Sequence, residues 1–275
     1  MMKACEKNNV IWMDGVMFMH SPRLDHLSRV LSDPLLESVQ RVESSFCFHG
    51  NKEFMQTNIR ANASCDPLGC LGDLGWYNIR LAILAFSTGG GAAGFSKLSD
   101  CARPRSAKAT CSQWTSDGLV PLDCACSVSF CADGWEKRLD FSCSFVSVFR
   151  QRFEIYCFGL DGGVSGDRQI SCDDFVIPRV ESKTSLRVES FIPGVGSLID
   201  VATRVASTVE SLEATSCIPQ EALMFQCFRN LMVSKINGNN DADRKWRDLT
   251  ILTQAIIDAC FVSMKLGGEE TAVVL

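Results

Sequence analysis

Cysteine and histidine are the side chains of this sequence that could act as a nucleophile, a base or a metal ligand. The chain has fifteen cysteines and three histidines, and every histidine precedes residue 50. A thiol nucleophile needs a base beside it, and His49 is the candidate base. No cysteine follows a helix-start signature or lies next to a basic cluster that would lower its pKa. A cysteine-dependent enzyme is therefore kept as an alternative hypothesis.

The spacing of the cysteines could also indicate zinc. Cys124, Cys126 and Cys131 form one group, and Cys65 with Cys70 forms another. Structural zinc sites usually show paired ligands with two to four intervening residues. On a strand, Cys124 and Cys126 would share a face, so chelation is conceivable, whereas Cys126 and Cys131 would lie on opposite faces. Free cysteine is also among the most buried residue types, so packing in the core is the favoured interpretation. We predict no metal site and no cofactor, with a zinc enzyme as the alternative, and reduced thiols because the cysteine count is odd and no signal peptide is recognised.

Basic side chains in the second and third quarters of the sequence could bind nucleic acid. Aromatic residues occur in the same region, and stacking on bases together with contacts to phosphates is typical of proteins that bind single strands. The net charge of −5 does not favour such binding, so it would require a local patch. The candidate residues are Arg105, Lys108, Arg150, Arg152, Arg179, Lys183 and Arg187.

The elements that would position these side chains follow from periodicity and turn residues. Residues 21–44 have apolar positions at helical spacing after Ser21 and Pro22. Residues 76–192 contain seven segments that read as strands, and the alternation is clearest over 139–149. After residue 193 the helical period returns and predicts three helices, with a break over 237–241. The predicted strand segments are 76–86, 94–98, 119–131, 139–149, 153–158, 174–180 and 186–192.

The order of these elements predicts the fold class and the domain organisation. No helical period separates the strand segments, so the sheet is expected to be antiparallel. We therefore predict an antiparallel jelly-roll-like β-sandwich, flanked by an N-terminal helix and by C-terminal helices. The predicted units are an N-terminal helical segment over 1–44, a β-sandwich core over 45–192 and a C-terminal helical region over 193–275.

The centre of the chain resembles the thirty-kilodalton superfamily of plant-virus movement proteins. Residues 79–86 read as an apolar strand, residues 89–94 as a glycine turn, and the next segment ends on Leu98, Asp100 and Arg103. That family has the same order, with a strand ending in an Asp and a basic residue soon after it. The resemblance implies that Asp100 is the signature residue and that it pairs with Arg103 or caps a turn.

The resemblance also implies a function and a location. The implied protein is not an enzyme; it would bind single-stranded RNA and carry it from cell to cell through plasmodesmata. It would form homo-oligomers, attach peripherally to a membrane and contact host plasmodesmal proteins. Its expected location is the host cytoplasm, the endoplasmic-reticulum membrane and plasmodesmata, without a signal peptide. A jelly-roll capsid or other structural assembly protein is the alternative with the same fold.

Overall fold

The computed structural model describes residues 1–87, 103–132, 135–159, 167–178, 183–191, 206–239 and 241–275. Within these ranges the strands form one nine-stranded sheet. The order across the sheet is β8-β7-β6-β5-β1-β4-β3-β2-β9. The strands are β1 (Leu36–His49), β2 (Arg103–Trp114), β3 (Pro121–Ala132), β4 (Trp135–Ser144), β5 (Val146–Gly159), β6 (Asp167–Cys172), β7 (Lys183–Phe191), β8 (Ala206–Thr215) and β9 (Thr271–Ala272).

The connectivity of the sheet explains its shape. β2, β3 and β4 form one antiparallel meander, and β5 to β8 form another. β1 lies between the two meanders, antiparallel to β5 and parallel to β4. The strand that comes first in the chain therefore joins two blocks that follow it, and the described part of the sheet is mixed with a single parallel pair.

Helices cover one face of this sheet. The α-helices are α1 (Met2–Lys7), α2 (Arg23–Leu31), α3 (Lys52–Thr57), α4 (Trp76–Ser87), α5 (Gln220–Ile236) and α6 (Arg244–Lys265), with 3-10 turns at Met17–His20 and Ile59–Ala61. α4 packs on β1 and β4, α6 packs on β2 and on α4, and α2 packs on β7 and β8. The core lies between these helices and the sheet.

Alternation along the strands decides which face is covered. In β4, Leu139, Phe141 and Cys143 are buried, whereas Arg138 is exposed. Each strand of the central sheet thus directs one set of side chains to the helices and the other set to the open face. We refer below to the two sides as the helix-covered face and the open face.

The predicted β-sandwich is wrong, because the described residues form one mixed sheet with helices packed on it. Residues 76–86, predicted as a strand, form most of α4. The predicted helix over 21–44 ends with α2 at Leu31, and β1 begins at Leu36. The segment after 193, predicted as helix, contains β8.

Other predictions of secondary structure are confirmed. Residues 139–149 are strand except at residue 145, where β4 gives way to β5, and the two helices predicted near the C-terminus are α5 and α6. The division of the chain into three units stays a prediction, although β1 crosses the expected boundary between residues 44 and 45. None of the helices in the described ranges combines the length and the apolar character needed to cross a membrane.

Candidate active site

A group of polar side chains lies where the chain enters α4. A π-helical turn, Leu71–Gly75, leads directly into α4 and lies against β4. Gly69 has a φ of +50°, and a Cβ there would lie 2.4 Å from the carbonyl oxygen of Pro121. At Gly75 a Cβ would lie 3.3 Å from the ring of Phe141. Glycine at these two positions therefore lets the turn pack closely on the sheet, which fixes the side chains that the turn carries.

Asp73 and Arg60 form the charged part of this group. Nε of Arg60 lies 2.5 Å from a carboxylate oxygen of Asp73, and both side chains are partly exposed. The backbone N–H of Arg60 donates to Oδ1 of Asn58, which caps the 3-10 turn that holds Arg60. Burial raises the pKa of Asp73 above its ordinary value, and Arg60 opposes that shift. The pair therefore presents one carboxylate and one guanidinium at the entrance to α4.

Tyr77 lies on the same helical face as Asp73, four residues further along the chain. Its ring packs edge-on against Phe46, with centroids 5.5 Å apart, and at a tilt against Phe18, at 5.9 Å. Burial raises the pKa of the Tyr77 phenol, and the charge of Asp73 raises it further. The phenol is therefore protonated at neutral pH and is available as a hydrogen-bond donor.

Two other elements face this group. The 3-10 turn Met17–His20 contributes Phe18, and α5 contributes Glu221, whose charge also raises the pKa of Tyr77. His20 stacks on Trp246 of α6 with ring centroids 5.0 Å apart. Burial lowers the pKa of His20 from 6.5 to about 4, with Asp14 opposing the shift. His20 is therefore neutral at pH 7 and adds an aromatic surface, not a charge.

A buried ion pair holds α4 in place behind the site. Arg80 has no exposed side-chain area, and its guanidinium pairs with Asp14 of the N-terminal segment. Nε of Arg80 donates to the hydroxyl of Thr253 in α6 at 3.2 Å. Thr250 of α6 donates to Asp14 at 2.8 Å. These contacts connect the N-terminal segment, α4 and α6, so the position of Tyr77 depends on all three.

The arrangement can bind and polarise a small hydroxylated molecule. A protonated phenol can donate to a carbonyl oxygen, while a carboxylate and a guanidinium can bind hydroxyl groups beside it. Phe18 and Phe46 form an apolar wall next to the phenol. We therefore take this group as the candidate site, with Tyr77 as its candidate general acid.

The residues predicted from sequence lie elsewhere. Leu98, Asp100 and Arg179 are outside the described residues. Arg103, Arg105 and Lys108 lie in β2, Arg150 and Arg152 in β5, and Arg187 in β7; Lys183 begins β7, and its side chain is not described. Nη2 of Arg105 lies 3.1 Å from the sulfur of Cys131.

Part of the predicted basic set does share one surface. Lys108, Arg150 and Arg152 line a concavity of about 740 Å³ on the open face. Glu43, Asp140 and Glu154 line the same concavity. Arg152 is paired with Glu154, and Arg187 with Glu189 at 2.5 Å. This surface carries alternating charges, which is unlike a basic groove for a nucleic-acid backbone.

Sequence reasoning missed Arg60, Asp73 and Tyr77. Arg60 and Asp73 lie in a stretch for which no helix or strand was predicted, and Tyr77 lies inside the segment 76–86 predicted as a strand. The four-residue spacing of Asp73 and Tyr77 is the one sequence signal that would have placed the two on one face, provided that residues 71–87 had been recognised as helical.

No protein-family model matches the chain. Similar folds occur among solved oxidoreductases. The 3-ketoreductase KijD10 from Actinomadura kijaniata, in complex with NADP and TDP-benzene, is 15% identical and superposes with a TM-score of 0.66. An aldose-aldose oxidoreductase from Caulobacter crescentus, complexed with glycerol, is 16% identical and superposes with a TM-score of 0.68. An oxidoreductase from Pseudomonas syringae is 12% identical and superposes with a TM-score of 0.66.

The alignments cover nearly all of this chain but only about two thirds of each neighbour. The alignment covers 95% of this chain but 65% of the ketoreductase. The alignment with the aldose-aldose enzyme covers 98% of this chain and 66% of that enzyme. The alignment with the Pseudomonas protein covers 99% of this chain and 67% of that protein. At 12 to 16% identity the likeness shows the fold, and this chain spans about two thirds of the length of these neighbours.

The identification as a plant-virus movement protein is therefore wrong, since the fold is shared with oxidoreductases. The predicted non-enzymatic transport through plasmodesmata is wrong with it, because it depended on that resemblance. Single-stranded RNA, a membrane, host proteins and a second copy of the chain stay predictions as partners, as does the cytoplasmic and membrane location.

Proposed function

We propose that this protein is an oxidoreductase that acts on a small hydroxylated carbonyl compound, such as a sugar. The observation that carries the proposal is the part-buried group of Tyr77, Asp73 and Arg60 at the start of α4. The shared fold supports it, because the solved neighbours include a 3-ketoreductase and an aldose-aldose oxidoreductase.

Tyr77 is proposed to transfer the proton of the reaction. When a carbonyl is reduced, its carbon gains a hydride from a separate donor such as a reduced nicotinamide, which is oxidised in turn, and its oxygen gains a proton. A phenol whose pKa is raised keeps its proton at neutral pH and can donate a hydrogen bond to that oxygen before it transfers the proton. In the reverse direction the same group, once ionised, accepts a proton from an alcohol.

Asp73 and Arg60 are proposed to orient the substrate. A carboxylate accepts hydrogen bonds from hydroxyl groups, and a guanidinium donates to oxygens. Asp73 lies one helical turn before Tyr77, and Arg60 is paired with Asp73, so a molecule that bears a carbonyl and neighbouring hydroxyls could contact all three. A polyhydroxy compound matches this set of donors and acceptors better than an apolar ketone does.

The described residues do not fit a dinucleotide such as NADP, which the ketoreductase binds. A dinucleotide cradle needs a glycine loop between a parallel strand and a helix. Gly69, Gly72 and Gly75 precede α4 at regular spacing, but no strand leads into them. A Cβ at Gly72 would also lie 2.7 Å from Cβ of Leu68, so the space is filled by protein. We therefore derive no step through a cofactor and assign this chain the substrate side alone.

Calorimetric titration of the full chain with an aldose and with glycerol tests the proposal. The wild-type protein should bind the aldose. Asp73→Asn should weaken binding by about 10- to 150-fold, since a hydrogen bond to a charged group contributes roughly 1.5–3 kcal/mol. Tyr77→Phe should weaken it by a smaller factor. Tyr156→Phe, which removes the other tyrosine hydroxyl of the chain, is the matched control and should bind as the wild type does.

Weaker binding confined to the Asp73 and Tyr77 variants would support the proposed site. An unchanged affinity in Asp73→Asn, or no binding of either compound to the wild-type protein, would overturn it. Circular dichroism of each variant confirms that the fold is retained.

A further inference from the structure

We propose that Cys70, Cys124 and Cys143 form a binding site for a thiophilic d10 cation, Zn²⁺ or Cu⁺. The three Sγ atoms all lie within 4.8 Å of one another. Those of Cys70 and Cys124 are 3.6 Å apart. This inference does not depend on the proposed function, and it assigns a second site to the helix-covered face.

The fold brings these thiols together from three separate elements. Cys124 of β3 and Cys143 of β4 are directly paired across the sheet, so their side chains project from the same face. Cys70 follows the close turn at Gly69 and lies over that pair, with its Sγ 3.4 Å from the carbonyl oxygen of Cys143. The same turn that positions Asp73 therefore also delivers Cys70 onto the sheet.

The distances are those of a trigonal or tetrahedral thiolate site. A metal–sulfur bond of about 2.3 Å places the sulfurs of one site about 3.8–4.0 Å apart. The separation of Cys70 and Cys124, 3.6 Å, is close to that value and the other two are within 4.8 Å, so the three thiols need only small side-chain rotations to enclose a cation. Cys111 of β2 pairs with Cys124 on its other side, with its Sγ donating to the carbonyl oxygen of Gln113 at 3.0 Å, so a side-chain rotation would make Cys111 the candidate fourth ligand.

The surroundings suit a soft cation. Cys70 and Cys143 are fully buried and Cys124 is 3% exposed. Sulfur ligands in a water-excluded site select Zn²⁺ or Cu⁺ over the hard cations Mg²⁺ and Ca²⁺. On binding, each thiol releases its proton to solvent as one sulfur–metal bond forms, and no electron is transferred. Three thiolates leave a net charge of −1 around Zn²⁺ and −2 around Cu⁺.

A bound cation would have a structural consequence. Cys70 immediately precedes the π-helical turn Leu71–Gly75, and the other two ligands belong to the central strands. The cation would fasten that turn to β3 and β4. Because a ligand that binds only the folded state raises stability by mass action, metal should raise the unfolding temperature. Simple packing of three thiols in the core predicts no such effect.

Cadmium, as a spectroscopic probe, tests the site without any measurement of activity. The full chain, reduced and freed of metal with a chelator, is titrated with Cd²⁺ while the ultraviolet charge-transfer band of thiolate is recorded. We expect the band to saturate at one equivalent per chain. Parallel titrations with Zn²⁺ and with Cu⁺ as competitors identify which of the two displaces Cd²⁺ at the lower concentration.

Matched variants locate the site. Replacing Cys70 and Cys143 together by Ser should remove the band or weaken binding at least tenfold. Replacing Cys157 and Cys172, two buried cysteines of β5 and β6, should leave it unchanged. Absence of a saturating band in the wild-type protein, which needs no variant to fold, would overturn the proposal. So would a band that survives in the first double variant.

Discussion

Polar residues on the two sides of the sheet differ in burial: charged side chains under the helices are buried, and those on the open face are solvated. On the helix-covered face, Arg80 is fully buried and makes an ion pair and a hydrogen bond that link three segments of the chain. On the open face, Arg41 is about half exposed and lies between Glu43, at 3.0 Å, and Asp140, at 2.9 Å. The first is part of a fixed network, whereas the second is one of a series of solvated pairs.

The difference shows where chemistry is expected in this molecule. Charges on the open face pair with one another in water, so each pair contributes little to stability. Under the helices, burial shifts the pKa of Asp73, Tyr77 and His20. Perturbed groups beside an apolar wall are typical of functional sites, which is why we place the site at α4 and not in the concavity of the open face.

The largest expected effect concerns the buried ion pair. Arg80→Met leaves the carboxylate of Asp14 buried without its partner, so the free energy of unfolding should fall by about 3–5 kcal/mol. Arg41→Met on the open face is the matched control and should cost less than about 1 kcal/mol. Urea denaturation followed by circular dichroism measures both.

A comparable loss in the two variants would contradict the distinction between the faces. The double variant Arg80→Met with Asp14→Leu sharpens the test, because it removes both charges together. It should be more stable than Arg80→Met alone, since the cost of the single change comes from the charge left behind.

A smaller effect is expected from His20. Its pKa is 6.5 when unfolded and about 4 in the folded protein, so the unfolded state binds the proton more readily. The stability that the neutral ring contributes is complete above pH 6.5 and is lost as the pH falls towards 4. Because His20 is only partly buried, we expect about 1–2 kcal/mol over this interval.

His20→Phe isolates this contribution. The variant keeps an aromatic ring against Trp246 but has no group to titrate. The difference in unfolding free energy between the two proteins should shift in favour of the variant as the pH falls from 6.5 to 4. Parallel pH profiles for the two proteins would show that the protonation of His20 is not linked to folding.

Sequence predicted part of the fold, and the physical reasons for the misses are specific. The strand over 139–149 was recognised because one of its faces is apolar and the other polar. α4 was not recognised as a helix, because all its residues from Asn78 to Phe86 are buried. A helix that is buried on all sides has no polar stripe to reveal its period. Leu35, just before β1, and Val39 and Val42 within it happened to follow helical spacing.

The candidate site could not be assembled from sequence. Arg60, Asp73 and Glu221 come together only because a turn, a helix entrance and a distant helix meet in space. Nor did the spacing of the cysteines reveal that Cys70, Cys124 and Cys143 converge, because that depends on the pairing of β3 with β4. The basic residues were visible in the sequence, but the structure was needed to show that Arg152 and Arg187 are each paired with an acid two residues along the same strand.

The two tyrosines of the chain allow one direct test of the central claim, because they lie on opposite faces. Tyr77 lies at the entrance to α4, and Tyr156 of β5 lies beside Arg41 on the open face, where its hydroxyl donates to Glu154 at 2.5 Å. NMR of protein labelled with ¹³C at the phenol carbon gives one resonance for each, assigned with Tyr77→Phe and Tyr156→Phe. Titration with an aldose should move the Tyr77 resonance and leave that of Tyr156 in place. Movement of the Tyr156 resonance alone, or of neither, would contradict the assignment of the site to the helix-covered face.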